Sequence, residues 1–515
     1  MEQNIFELII SGFINSLSPY HIFLMAFGVT AGIIVGTLPG LTATMAVALL
    51  VPVTFIMEPA SGLVMLGAIW CGAIYGGANA AILLNIPGTP SSIATTMDGY
   101  PMTKNGEADK ALLTSLISSV IGGIIGVIIL LTLFAPLAQV SLKFGKPEYF
   151  WLCIFGLTTI SAMSTGNVVK GLLGGLFGLL LGTIGLDPIA GVPRFTFGYR
   201  PLVQGIQLVP ALIGFFAFSQ MLTLMERDEK YIARYKQTSS LLKSLLSEML
   251  QKGKSVLLRS SILGTFIGML PGAGGPVASI IAYNEAKRWD KNPEKYGKGA
   301  IEGLMASESS NNAVIGGALI PMMGLGIPGC PAAAVIMGGL LAHGIIPGSK
   351  LLVESGDVAY TFITSLIIAN LIMLPVGYFM LKLVANILNV PLYFVAPVIL
   401  VLSSIGAYAL HNSMLDVFVM VIFGTIAYIL SKAGIDPGPM ALGMVLGPIA
   451  EDALGVSLVI AQAKGSILQT LFLRPVSLIL IILSILSAFS PLILDYLKKK
   501  KIFESEVKRN DSSCC

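Results

Sequence analysis

The chain has 515 residues, of which 55% are hydrophobic and 11% charged, with a net charge of +4 and a mean hydropathy of +0.85. A soluble protein carries roughly 25% charged residues, so this sequence could not cover two or three soluble domains. Most soluble enzymes, disordered scaffolds and nucleic-acid binders are excluded. A β-barrel is excluded too, because it would show short alternating segments rather than long apolar runs. The expected class is an all-α polytopic integral membrane protein, with room for roughly ten to twelve spans.

Apolar runs predict helices at Ile5–Leu17, Ile22–Thr37, Ala43–Met57, Leu63–Leu84, Ala111–Phe134, Phe150–Met163, Gly171–Leu186 and Gly205–Met225. Beyond a polar stretch they resume at Leu257–Ala282, Asn312–Ile327, Ala332–Ile346, Val358–Leu388, Leu392–Leu410, Leu415–Leu430, Met440–Ile460 and Leu471–Leu497. Several are too short to span alone and predict half-helices or re-entrant segments. No Lys or Arg precedes Lys104. A signal peptide needs a basic start, so the first hydrophobic segment is expected to be retained. The polar stretch Glu226–Arg259 holds eight basic and four acidic residues, which places it in the cytoplasm. Lys498–Lys501 argue the same for the C-terminus. The expected organisation is a first repeat over 1–225, a basic linker over 226–256, a second repeat over 257–470, a terminal helix over 471–497 and a basic tail over 498–515.

The two halves resemble each other. G-x-x-x-G-x-L-P-G spans Gly32 to Gly40 and returns at Gly264 to Gly272, shifted by 232 residues. Ile-Pro-Gly-x-Pro at 86–90 returns at 327–331, shifted by 241. Pro147-Glu148-Tyr149-Phe150 returns as Pro391-Leu392-Tyr393-Phe394, and Gly185-Leu186-Asp187-Pro188 as Gly434-Ile435-Asp436-Pro437. Four matches in one order, with slowly growing offsets, predict an internal duplication. The second LPG run has basic residues on both flanks and the first has none. Hairpins entering from opposite sides, as in an inverted repeat, would give that pattern.

The paired breaks are the strongest functional signal. Proline removes a donor and breaks the helix, and glycine admits backbone shapes closed to other residues. A chain restarting after such a break offers free N–H groups and a positive dipole end to an anion. Carbonyls freed before it, at Gly36 and Gly268, can hold a small cation. Around the first break stand Thr37, Pro39, Gly40, Thr42 and Thr44; around the second stand Pro271, Gly272, Gly274 and Gly275. A kink packed by G-x-x-x-G contacts is the plainer explanation of either copy alone. The Ile-Pro-Gly segments add Asn85, Pro87, Gly88 and Thr89 in the first copy and Pro328 and Gly329 in the second. Before the second lie Glu308, Ser309, Asn311 and Asn312. Polar groups at membrane depth are costly and face a cavity or each other, so these four are candidates for cation coupling. Glu308 at the head of an apolar run could instead be an interfacial carboxylate facing a helix dipole. Asp187 and Asp436 precede prolines and read as turn caps, and Arg194 and Arg200 as interfacial residues. Cys71, Cys153, Cys330, Cys514 and Cys515 are scattered and the three histidines lie far apart, so no resident metal is expected.

The segments GTLPGLTAT, IPGTPSSIATTMDGYPM, GTFIGMLPGAGG, ASESSNNAVIGGALIPMMGLGIPG and AHGIIPG resemble the large membrane subunit of tripartite tricarboxylate transporters, the TctA family. The resemblance runs from about Gly28 to Glu451. Cys330 departs from it, standing where a small hydroxyl or alanine is expected. The resemblance implies a permease of a bacterial or archaeal inner membrane that takes up di- or tricarboxylates such as citrate. It implies symport with Na⁺ or H⁺ and no other cofactor. It implies two partners in the bilayer system, an extracytoplasmic solute-binding protein and a small membrane subunit, and admits a homodimer. No nucleic-acid partner is expected. The alternatives are a stand-alone cation-coupled symporter for another organic anion and, more remotely, an intramembrane enzyme. An enzyme would need a Ser/His pair, H-E-x-x-H or paired membrane aspartates, and none is evident.

Overall fold

The computed structural model describes residues 5–163, 168–187, 189–226, 235, 245–247, 249, 251, 253–272 and 274–488. The basic linker lies mostly, and the C-terminal tail wholly, outside them. In chain order the helices are α1 (Ile5–Ser16), α2 (Pro19–Thr37), α3 (Ala43–Thr54), α4 (Pro59–Leu84), α5 (Ile93–Lys104), α6 (Ala108–Ser141), α7 (Lys146–Met163), α8 (Val168–Gly182) and α9 (Leu208–Met225). They continue as α10 (Lys254–Met269), α11 (Gly274–Trp289), α12 (Ile301–Leu325), α13 (Pro331–Ala342), α14 (Ser349–Glu354), α15 (Gly356–Met380), α16 (Val384–Leu388), α17 (Leu392–His411), α18 (Met414–Lys432), α19 (Pro437–Lys464) and α20 (Pro475–Ala488). Among the described residues, α2, α4, α6, α9, α15, α17, α18 and α19 are long and apolar enough to cross a bilayer. The protein is a multi-pass helical membrane protein.

Both LPG runs fold as expected, as helix, break and helix. The Leu-Pro-Gly turns have nearly the same backbone: Leu38 at φ −74°, ψ 119° and Leu270 at φ −81°, ψ 116°, then Gly40 at φ 88° and Gly272 at φ 84°. Three expectations fail. The helix foreseen from Asn312 begins at Ile301, so its polar run lies inside the helix rather than ahead of it. Small residues of α6 line that face, and a close fit replaces an apolar stripe. A helix not foreseen, α5, follows the first Ile-Pro-Gly, its mixed polarity hiding it from an apolar scan. The segment foreseen as helix to Leu186 ends at Gly182, and Gly185–Leu186 pairs antiparallel with Pro193–Arg194.

The chain forms two compact units, one of residues 1–143 and 206–433, the other of 144–205 and 434 onward. Each draws on both halves of the sequence. In the second, α19 packs on α7 and α8. Arg474 pairs with Glu148 at 2.9 Å, and Arg194 pairs with Glu451 and with Asp187 at 3.2 Å. Asp187 caps its turn as the sequence suggests, accepting from the N–H groups of Ile189 and Ala190 at 2.8 Å each. Those two N–H groups, with Arg194 adding, hold its carboxyl below the usual range.

In the first unit α4 and α12 are almost wholly buried. Neither has an apolar stripe facing a polar one. Both are packed through glycine and alanine, which let backbones approach closely in a bilayer. A methyl placed on Gly28 would meet the Met65 carbonyl at 2.9 Å, and one on Gly268 the Val314 carbonyl at 2.8 Å. The Ile-Pro-Gly loops are tied down in the same way in both copies. Gly88 N–H donates to the Gly77 carbonyl at 3.1 Å, and Gly329 N–H to the Ala318 carbonyl at 3.3 Å. A methyl on Gly88 would stand 2.5 Å from the Gly36 carbonyl, and one on Gly329 2.5 Å from that of Gly268.

One acid fixes a connection. Asp98, 1% exposed on α5, gathers the N–H groups of Gly297, Gly299 and Ala300 at 2.8 Å each on Oδ1. It thereby anchors the loop leading into α12.

Two outcomes follow for thermal unfolding in detergent. Gly268→Ala drives a side chain into backbone and should cost about 1–3 kcal/mol, whereas Gly175→Ala, whose methyl would meet only the Pro439 carbonyl at 4.0 Å, should leave the melting temperature unchanged or higher. Asp98→Ala leaves three N–H groups without their acceptor and should cost about 3 kcal/mol or more; a melting temperature within a degree or so of wild type would refute that role.

Candidate binding site at the helix breaks

At the first break the LPG turn closes on α4. Asn79 Nδ2 donates to Thr37 Oγ1 at 3.0 Å, and Thr37 Oγ1 donates to the Gly76 carbonyl at 3.3 Å. Both residues are buried, and Asn79 Oδ1 has no partner. Pro39 is buried, and the Gly40 carbonyl accepts from the Gln220 side chain, a residue the sequence reading did not single out. Thr42 is the N-cap of α3, its hydroxyl accepting from Met45 N–H at 3.1 Å. That leaves its hydroxyl committed to a cap. Thr44 lies half-buried two residues on.

The two Ile-Pro-Gly segments divide similarly between frame and chemistry. Pro87, Gly88, Pro328 and Gly329 hold the loops against the long helices, and Gly272 N–H donates to the Gly329 carbonyl at 2.9 Å. Thr89 Oγ1 and Ser91 Oγ share a hydrogen bond of 3.1 Å, and Ser279 on α11 donates to the Ser91 carbonyl at 3.0 Å. The exit of the first Ile-Pro-Gly thus meets the second hairpin. In the same way α3 of the first hairpin packs on α13, which follows the second Ile-Pro-Gly. Asn85 is exposed, in the left-handed conformation at φ 60°, and ends α4 as its C-cap. Asparagine tolerates that conformation, which accounts for its place without a ligand.

The second break carries the unspent polarity. Gly274, buried and at φ 55°, opens α11, and Gly275 follows it. A methyl on Gly275 would lie 2.5 Å from Asn311 Oδ1 and 2.6 Å from Ser91 Cβ. The Asn311 amide therefore faces the start of α11. Asn311 and Asn312 are fully buried, and neither their oxygens nor their nitrogens have a partner; nor has Ser309 Oγ. Buried polar groups are ordinarily hydrogen-bonded. The idle Asn311 amide beside the start of α11 can donate to a carboxylate, and its oxygen, with the idle Asn312 amide and Ser309 hydroxyl close by on the same helix, can serve a cation.

Glu308 lies one turn before them. It is the eighth residue of α12 and fully buried, so the interfacial placement does not hold. Its Oε1 accepts from Thr95 Oγ1 on α5 and its Oε2 from Ser119 Oγ on α6 at 3.0 Å. Ser119 escaped the sequence reading, although Ser115 and Ser119 repeat at helical spacing on one face of an otherwise apolar helix. Burying a carboxylate costs several kcal/mol unless it is neutralised. At the offset that relates the Ile-Pro-Gly motifs, the first copy has Gly67 in place of Glu308. A methyl on Gly67 would meet Leu366 and Phe362 of α15, so that position is apolar. Among the described residues no cluster of His, Cys, Asp and Glu suited to a metal ion occurs.

Comparison with known proteins places this architecture. The model of the tripartite tricarboxylate transporter TctA family matches residues 22–442. The chain is 36% identical over 459 residues to an uncharacterized 52.8 kDa protein of the TAR-I ttuC' 3'region of Agrobacterium vitis, covering 89% of this chain and 91% of that one. It is 34% identical over 207 residues to an uncharacterized protein of the TAR-II ttuC' 3'region of the same organism, covering 40% of this chain and 86% of the relative. No solved structure gives a significant match. The chain belongs to the tripartite tricarboxylate transporter TctA family.

Proposed function

We propose that the protein is the permease subunit of a binding-protein-dependent secondary transporter that takes up di- or tricarboxylates, citrate-like in chemistry, driven by a cation gradient. The carrying observation is the idle, fully buried Asn311 and Asn312 amides, with Asn311 facing the start of α11. A carboxylate seated there receives amide donors and backbone N–H groups in place of water. Thr37, Asn79 and the LPG turn at Pro39 offer a second set at the repeat-related break. The cation is held within Gly36, Gly268, Glu308, Ser309, Asn311 and Asn312, with Na⁺ or H⁺ as the driving ion. The membrane is the cytoplasmic one, and the C-terminus faces the cytoplasm.

Alternating access follows from an inverted repeat. In its support, α4 packs on α15 while its counterpart α12 packs on α6, so each long helix leans on the other copy's partner. A pseudo-two-fold axis would exchange them in this way. A solute-binding protein hands the substrate to the outward opening, and a small membrane subunit completes the assembly, as the word tripartite in the family's description suggests.

The test is uptake of radiolabelled citrate and tartrate into proteoliposomes holding this chain and its small subunit. Uptake should require both the solute-binding protein and an imposed gradient. Uptake without the binding protein would instead support the stand-alone symporter. Asn311→Ala should reduce uptake by roughly tenfold or more, since a charge-assisted hydrogen bond contributes about 1.5–3 kcal/mol. Pro39→Ala and Pro271→Ala should each impair uptake, and full activity in both would remove the breaks from the site.

A further inference from the structure

We infer that Glu308 is the proton carrier of the transport cycle: its carboxyl takes a proton from water on one side of the membrane and returns it to water on the other. This rests on the carrier reading above and fixes both the ion and the group that holds it.

Three observations lead there. First, Glu308 is fully buried, and among the described residues it has no ion-pair partner; its two oxygens meet the hydroxyls of Thr95 and Ser119. A charge so placed demands neutralisation. Second, Glu308, Thr95 and Ser119 lie within three helices, α12, α5 and α6, whose carbonyls are engaged in helical hydrogen bonds. A hard metal cation gathers about six oxygens, whereas the hydrogen-bond contacts of this carboxyl are the two hydroxyls of Thr95 and Ser119. A proton needs only the carboxyl, with the hydroxyls as relays. Third, Glu308 precedes Asn311 and Asn312 by three and four residues, so all three share one side of α12. The carboxyl is therefore coupled to whatever fills the amide site.

The neighbouring charges do not compete. From α4, Tyr75 brings a buried hydroxyl without a hydrogen-bond partner, within electrostatic reach of the carboxylate. From α5, Asp98 is engaged by three backbone N–H groups, and Tyr283 of α11 lies beside it; Tyr100 is half-buried with Lys104 over its ring. On α6, Asp109 and Lys110 are in the first turn, about 15 Å along the helix from Ser119. On α10 and α11, Lys254, Arg259, Lys287 and Arg288 are exposed, and Glu285 bonds to Arg288 and Trp289. On α12 itself Glu302 pairs with Lys295, and on α14 Lys350 pairs with Glu354. The helix α13 brings no charged side chain, and its cap Cys330 is a buried thiol.

The experiment uses the full chain with its small subunit in proteoliposomes, with the binding protein supplied. Wild type should accumulate [¹⁴C]citrate or [¹⁴C]tartrate under an inward proton gradient with Na⁺ absent. Glu308→Gln should lose that accumulation yet retain counterflow, the exchange of labelled for unlabelled substrate, with its pH dependence flattened. Thr95→Val and Ser119→Ala should shift the pH dependence while leaving accumulation measurable. Infrared difference spectra on a pH jump, which need no substrate, should show a protonated-carboxyl band that vanishes in Glu308→Gln. Accumulation driven by Na⁺ alone and independent of pH, or a carboxyl band unchanged in Glu308→Gln, overturns the proposal while leaving the carrier reading intact. Wild type without counterflow for either substrate overturns the carrier reading, and the proposal with it.

Discussion

The close approach of helix backbones through glycine is the constraint on which the rest depends. In a bilayer, apolar side chains gain little by leaving lipid for each other, so helices are held by packing and by hydrogen bonds. Gly28, Gly32 and Gly36 on α2 meet Ala68, Gly72 and Ala73 of α4, and Gly264 and Gly268 on α10 meet Ser310 and Val314 of α12. This leaves no room for side chains along the seams. It also leaves the polar residues of α12 nowhere to turn except toward one another and toward the break in front of α11. The idle amides of Asn311 and Asn312 thus lie on a helix packed closely along both seams.

Much of this was legible in the sequence. The breaks at Pro39 and Pro271 and the turn-capping Asp187 each follow from residue types with narrow conformational roles. Proline and glycine signal through the backbone of a single residue, so a local reading finds them. Glu308 and the two asparagines stood out because polarity in an apolar chain is conspicuous. What escaped was non-local or masked. The helix α5 is too polar for an apolar scan, yet its Ala94, Thr95, Asp98, Gly99 and Met102 are buried where it packs on α4, α6, α11 and α12. Asn85 stood out by its residue type, and its left-handed backbone as the C-cap of α4 is a feature that type alone does not reveal. Asp98 and Ser119 depend on partners about 190 to 200 residues away, and no local pattern announces such pairs.

The two halves share a frame but not a chemistry. The turns at Leu38 and Leu270, the bonds from Gly88 and Gly329, and the contacts under them repeat closely. Side chains have parted company. One copy presents Gly67, Ala68, Trp70 and Cys71 where the other presents Glu308, Ser309, Asn311 and Asn312. Shape was retained wherever backbone touches backbone, and polarity was concentrated in the copy whose neighbours, Thr95 and Ser119, can answer it.

The single acid has a consequence for the arithmetic of charge. If Glu308 carries the proton as inferred above, the apolar Gly67 at the related position of the first half offers no second carboxyl there. On the proposed function, a di- or tricarboxylate would then travel with one of its charges cancelled at this carboxyl, and each turnover would shift net negative charge across the bilayer. The rate of such a cycle depends on membrane voltage as well as on pH, and an interior-negative potential opposes uptake. The difference between Glu308 and Gly67 would therefore set an electrical load on the proposed process.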